Sequence, residues 1–174
     1  MKTTKRVFAG LLTIALALSS VDAAHQRDVT VSIDFGNPSG FSDIEIDGFS
    51  GDKEQSIIFD LLRGEFEENA GTYLPHGYTL NVKIQDIDLA GYHEPLYPRF
   101  DGVRIMKSIY PPRLNFSYAI LDDDQLIVEE GNSSLSNVSY LHGFSLSSRR
   151  NDTAYYVRSL IKDWARQDLG YKLK

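Results

Sequence analysis

Val29, Val31, Ile33 and Phe35 alternate with Thr30, Ser32 and Asp34, the two-residue period of a strand with one face buried. Asn37-Pro38-Ser39-Gly40 ends that run. The period then lengthens. Ile57, Ile58, Leu61, Leu62 and Phe66 recur at intervals that place them on one face of a helix. Asp52 and Gln55 resemble a capping box at its start, and the helix is expected to run to about Asn69 with Gly71 as a stop. A second strand is expected from Tyr78 to about Asp88, with Leu80, Val82 and Ile84 on one side. The stretch from Tyr92 to Pro112 is irregular and rich in Pro, Gly and aromatic residues, with a short strand expected within it at 103–109. Leu114, Phe116, Tyr118 and Ile120 alternate again, Asp122-Asp123-Asp124 makes a polar hairpin tip, and Leu126 to about Leu135 returns. The last helix starts near Asn151-Asp152-Thr153, carries Val157, Leu160, Ile161 and Trp164 as its apolar stripe, and closes at Gly170. The order β-α-β-β-β-α predicts an α+β two-layer sandwich: a mixed, mainly antiparallel sheet of about four to five strands with two helices on one face.

Ahead of this pattern, residues 1–23 read as a cleavable signal peptide, leaving 24–174 as a single globular domain. Lys2, Lys5 and Arg6 form a basic start. The apolar run from Val7 to Leu18 is long enough for a signal core and short for a membrane span. Cleavage after Ala23 puts Val21 and Ala23 in the two pockets that need small side chains. The chain has no cysteine, so the leader offers no lipidation site and the domain no disulfide. The same absence excludes thiol catalysis, iron–sulfur clusters and thiolate zinc sites. Without Lys2, Lys5, Arg6 and Asp22, the 18 basic and 24 acidic residues of the chain reduce to a net charge of −8. That charge argues against binding nucleic acid, which depends on neutralising phosphates.

Several segments carry a family resemblance when taken in order. They are Val29–Phe35 with Asn37-Pro38 and Phe41-Ser42-Asp43; Asp86-Ile87-Asp88-Leu89-Ala90-Gly91; Val103-Arg104-Ile105-Met106-Lys107 leading to Tyr110-Pro111-Pro112-Arg113 and Phe116-Ser117-Tyr118; and Arg149-Arg150-Asn151-Asp152 before the helix with Asp163-Trp164. The ordered set resembles the bacterial family known as domain of unknown function 3016. The resemblance implies an exported, periplasmic protein and supplies no reaction.

The chemistry-bearing residues concentrate after the second strand. If its alternation continues, Asp86 and Asp88 both point to the core side; if a bulge lies near Asp86, Ile87 and Leu89 return to the core. In either case an acid near buried surface needs a cationic or hydrogen-bonding partner, for which Arg104, Lys107 and Arg113 are the natural suppliers. This polar cluster reads either as a structural ion-pair group or as a pocket that receives an anion. The aromatic loop, with Tyr92, Tyr97, Arg99, Phe100 and Tyr110 beside His93, either binds a sugar or peptide or covers the end of the core. Arg158, Lys162 and Arg166 recur every four residues and predict a solvated basic stripe on the last helix. No histidine pair has ligand spacing, neither Gly-Phe-Ser at 48–50 nor that at 143–145 has the setting of a nucleophile elbow, and no metal, cofactor or catalytic residue is assigned. The first reading is therefore a non-enzymatic binding or accessory domain that meets a periplasmic protein or cell-envelope component. A hydrolase using Asp86 and Asp88, or a structural domain with its charges satisfied internally, are the alternatives.

Overall fold

The computed structural model describes residues 28–45, 51–93, 104–142, 152 and 154–170. The leader, His25, Tyr97, Arg99, Phe100, Asn151, Thr153 and the Gly-Phe-Ser tripeptides at 48–50 and 143–145 lie outside them.

β1 (Thr30–Asp34) runs parallel to β2 (Thr79–Asp88), with Val31 opposite Leu80 and Ile33 opposite Val82. The crossover between them carries α1 (Asp52–Tyr73). β5 (Arg113–Leu121) pairs antiparallel with β2, and β6 (Ile127–Ser136) antiparallel with β5, so the sheet order is β1-β2-β5-β6. Between β2 and β5 the chain makes a separate two-stranded ribbon, β3 (Tyr92–His93) with β4 (Arg104–Ile105). α2 (Tyr155–Trp164) closes the order and continues into a single π-helical turn over Ala165–Leu169. The result is an α+β fold with a mixed sheet. The strand expected at 103–109 shrinks to two residues and leaves the main sheet. A turn in which Tyr110 N–H donates to the Lys107 carbonyl (2.9 Å), followed by Pro111 and Pro112, prevents its extension.

The helix boundaries also differ from expectation for local reasons. Gly51, not Asp52, caps α1, and no side chain caps it; Asp52 lies in the first turn with Glu54, where carboxylates meet the positive end of the helix. The helix passes through Gly71 and ends at Leu74, whose extended backbone (ψ 148°) is what the following Pro75 demands. At α2 the N-cap is Ala154, with no side-chain cap; Asp152 stands two residues ahead of it, where its Oδ1 accepts the Ala154 N–H at 3.0 Å. At the hairpin tip, Asp122 Oδ1 accepts the N–H groups of Asp124 and Leu126, at 3.0 and 2.9 Å.

One core joins the apolar stripes of both helices to β2 and β5. Ile58, Leu62, Phe66, Val157, Ile161 and Trp164 are buried with Leu80, Val82, Ile84, Leu114, Phe116 and Ile120. Each such large side chain contributes roughly 1.5–3 kcal/mol on burial. Asn81, Lys83 and Gln85 alternate with these residues on β2 and are exposed. On this polar side Ser134 donates to Asn115 Oδ1 at 2.8 Å.

Two glycines make opposite predictions. Gly91 has φ +84°, and a Cβ there would lie 2.7 Å from the Ile105 carbonyl oxygen and from Met106 Sδ. Gly91→Ala is expected to cost about 2 kcal/mol from backbone strain and displacement of the β3–β4 ribbon. Gly64 is exposed in the interior of α1 with nothing near its Cβ position, so Gly64→Ala should stabilise by roughly 0.5–1 kcal/mol. Urea unfolding of the two variants distinguishes the signs.

Candidate functional site

The site begins where the alternation of β2 breaks. The register with β5 shifts between Ile84 and Asp86, which places a bulge there. The bulge returns Ile87 and Leu89 to full burial and leaves the Asp86 and Asp88 carboxylates part-exposed. Of the two arrangements open from the sequence, the bulged one is formed.

The bulge sits beside a second interruption, in β1. After Asp34 the chain leaves the sheet through a 3-10 turn at Pro38–Gly40 and comes back at Asp43, which bridges to Asp88 in parallel fashion. Asp43 N–H donates to the Ile87 carbonyl (2.9 Å), and Leu89 N–H to the Asp43 carbonyl (3.1 Å). In the gap before that bridge, the Asp86 carboxylate substitutes for backbone. Its two oxygens accept the N–H and the O–H of Ser42, at 2.7 and 2.9 Å.

Arg104 is the centre of the arrangement. Its guanidinium grips Asp43 through two nitrogens, Nη1 to Oδ2 at 2.6 Å and Nη2 to Oδ1 at 3.0 Å. Nη2 also donates to the Glu45 carbonyl at 2.8 Å, and Nη1 reaches the carbonyls of Leu89, Ala90 and Gly91 at 3.3–3.4 Å. Only 8% of the side chain is exposed. One arginine thus ties the returning β1 segment, the end of β2 and the β3–β4 ribbon together. Its planar fork suits this task, since a lysine could not make the paired contact.

The five residues expected to form one cluster are therefore divided. Arg104 pairs with Asp43, Asp86 with Ser42, and Asp88 with Arg113 at 3.5 Å, the arginine being largely exposed. Burial pushes the Asp88 carboxyl above the usual range, with Asp43 and Asp86 adding to the rise and Arg113 and Arg104 opposing it. Lys107 joins none of these acids; its ammonium lies 3.0 Å from the Tyr92 hydroxyl and 4.9 Å from the centroid of that ring. Tyr92 in turn packs against Tyr110 with centroids 4.6 Å apart. Tyr97, Arg99 and Phe100 fall outside the described residues. Asp43 was not among the candidates, although it ends the Phe41-Ser42-Asp43 segment that bears the family resemblance.

Beside this framework lies a cavity of about 550 Å³, lined among others by Phe41, Ser42, Asp43, Glu45, Tyr92 and His93. His93 faces Arg104 across the β3–β4 ribbon. Both of its ring nitrogens are buried, and among the described residues neither has a hydrogen-bond partner. Neither the alternation nor the spacing of the sequence distinguishes this histidine from a surface one.

The basic stripe of α2 is also reorganised. Arg158 turns toward α1, donating through Nε to Glu65 (3.1 Å) and through Nη1 to Asp152 (3.0 Å). Glu65, itself buried, accepts a further bond from the Asn69 amide at 3.0 Å. A buried carboxylate needs this cation. Arg166 pairs with Asp163 within its own helix, and Lys162 is exposed. Among the described residues no group of three or more His, Asp or Glu side chains could hold a metal ion, and no helix is long and apolar enough to cross a membrane.

No curated protein matches the sequence. Among solved structures, two of the PelC dodecamer from Paraburkholderia phytofirmans resemble the chain, with TM-scores of 0.38 and 0.35 and identities of 9% and 14%. They cover 84% and 80% of this chain and 89% and 88% of theirs. A minor lipoprotein from Acinetobacter baumannii gives a TM-score of 0.31 at 9% identity, covering 82% of this chain and 88% of its own. At these scores no property of either protein is carried over. The family model for the protein of unknown function DUF3016 matches residues 29–167, a span that includes both helices, all six strands and the Asp43–Arg104 clamp, and the chain belongs to that family.

Proposed function

We propose that this chain is an exported periplasmic accessory domain that binds its ligand without transforming it, in the cavity between the 41–45 segment and the β3–β4 ribbon. The observation that carries this reading is His93. A buried polar group without a partner costs about 1–3 kcal/mol, and a ligand that supplies a donor or acceptor to the imidazole relieves that cost. The clamp of Arg104 on Asp43 supports the reading, because it braces both walls of the cavity before any ligand arrives. The acids support it too. Asp86 and Asp43 are engaged in holding backbone and guanidinium, which leaves the hydrolase alternative without its second free carboxylate. The basic, apolar leader with its cut after Ala23 supports export, and the lack of cysteine supports release without a lipid anchor.

His93→Phe separates binding from folding. Replacing the unsatisfied imidazole by an apolar ring should stabilise the protein by about 1 kcal/mol. The same change should abolish retention of whatever the wild-type protein captures from periplasmic extract, followed by mass spectrometry of proteins and small molecules. Equal capture by the two forms overturns the proposal, as does a destabilised His93→Phe variant.

A further inference from the structure

The segment from Ser39 to Glu45 forms one wall of the cavity beside Tyr92 and His93. Most of the hydrogen-bond donors on that wall are already engaged. The Ser39 hydroxyl donates to Asn37 Oδ1 at 2.7 Å, and the Ser42 hydroxyl to Asp86 Oδ2 at 2.9 Å. The backbone N–H groups of Ser39, Phe41, Ser42, Asp43 and Glu45 donate to Asn37, Pro38, Asp86, Ile87 and Asp43, in that order. What the wall offers a ligand is therefore mainly oxygen lone pairs and the part-buried ring of Phe41. The cavity is also acidic. Among the described residues that line it are two carboxylates, Asp43 and Glu45, and no lysine or arginine. Arg104 neutralises Asp43, and its terminal nitrogens end on that carboxylate and on backbone carbonyls. Lys107 rests on Tyr92 from outside the lining. The Glu45 carboxylate, by contrast, has no ion pair or hydrogen bond among the described residues.

We propose, on the reading of this cavity as the binding site, that it selects a small molecule bearing a cationic nitrogen group, an ammonium or a guanidinium, through the Glu45 carboxylate. Such a group brings the donors that the 39–45 wall lacks and the charge that Glu45 lacks. A further N–H of the same ligand meets the unprotonated nitrogen of the neutral His93 imidazole, which is an acceptor. The rings of Phe41 and Tyr92 suit the apolar part of the molecule or the cation itself. The volume of about 550 Å³ lies within the roughly 300–1,000 Å³ of small-molecule sites, which favours a free amine over a longer chain. A carboxylate or phosphate meets the opposite conditions. It would find no cation in the lining and would lie beside the Glu45 charge. The anion that a free Arg104 would attract is turned away by the clamp that joins Arg104 to Asp43.

Benzylamine, benzyl alcohol and benzoate carry the same ring and differ in charge, so they separate the charge from the fit. Each is titrated into the isotope-labelled protein near pH 7 and followed by amide chemical shifts. Salt at about 0.15 M screens the general attraction of an acidic protein for cations. Benzylamine is expected to move the amides of residues 41–45 and 92–93 with a Kd at least about tenfold below that of benzyl alcohol, the effect of one charge-assisted hydrogen bond. Benzoate is expected to leave them unmoved. Glu45→Gln should remove the advantage of benzylamine over benzyl alcohol without changing the urea midpoint. Glu130→Gln removes the same charge from an exposed position on β6, at the opposite edge of the sheet from β1, and should leave all three titrations as in the wild type. Benzoate binding as tightly as benzylamine overturns the inference. So does an amine advantage that survives Glu45→Gln, or amides that none of the three probes moves. Each of these results is compatible with loss of capture in His93→Phe, so failure of the charge preference and failure of the binding reading are told apart.

Discussion

Arg104→Ala is expected to lower the stability of the domain by about 3 kcal/mol, the lower end of what removing one partner of a buried ion pair costs. The lower end applies because Asp43, unlike Arg104, is about one-fifth exposed and keeps some access to water. The loss has two parts. Asp43 retains a charge with no cation beside it, and the carbonyls of Glu45, Leu89, Ala90 and Gly91 lose a shared donor. Arg104→Lys should fall between the wild type and alanine, since an ammonium can keep the charge but cannot make the paired contact. Adding Asp43→Asn to Arg104→Ala should recover part of the loss, because no unpaired charge then remains. Urea unfolding followed by circular dichroism measures all four proteins. If Arg104→Ala unfolds at the wild-type midpoint, the guanidinium does not hold these segments, and the braced cavity beside it has no support.

The clamp also marks the limit of what could be read from the residues alone. Arg104 was identified as a cation needed near buried acid, but its partner is Asp43, 61 residues away, and not Asp86 or Asp88. The 41–45 segment is too short to show a period, and its return to the sheet after the 3-10 turn depends on tertiary pairing with Ile87 and Leu89. The bulge in β2 is a different case. Continued alternation and a reset alternation both fit the pattern of Ile84, Asp86, Ile87, Asp88 and Leu89, and only the pairing with β5 chooses between them. The strands with long alternating runs, β1, β2 and β5, and the apolar stripes of both helices, apart from Ile57, which is 44% exposed, were legible because each follows a single period over many residues. Arg158 was expected on a solvated stripe of α2 and is instead only part-exposed and paired. That this face meets the buried Glu65 of α1 is a property of helix packing that spacing within one helix does not contain.

Trp164 is where the legible and the illegible meet, and Trp164→Ala is expected to have the largest effect of any single change, a loss of about 4 kcal/mol. The sequence puts this residue on the apolar stripe of α2. The fold surrounds it with Phe116, Tyr118 and Phe66, at centroid distances of 5.0, 5.2 and 6.0 Å, and leaves it 3% exposed. Edge-to-face contacts of this kind add roughly 0.5–1.5 kcal/mol per pair beyond the area they bury, so truncation removes more than one large side chain's worth of burial. The indole also carries a cost, because its buried Nε1–H has no hydrogen-bond partner among the described residues. Trp164→Phe keeps an aromatic ring in contact with the others and removes that donor. The relief, roughly 1–3 kcal/mol for an unsatisfied group, opposes the volume lost, so Trp164→Phe should cost less than about 1.5 kcal/mol. Trp164 is the only tryptophan in the chain, so the comparison is made by far-ultraviolet circular dichroism and not by indole fluorescence. A phenylalanine variant as unstable as the alanine one would overturn this account, because an aromatic ring in edge-to-face contact with Phe116 would then not be what secures α2 to the sheet.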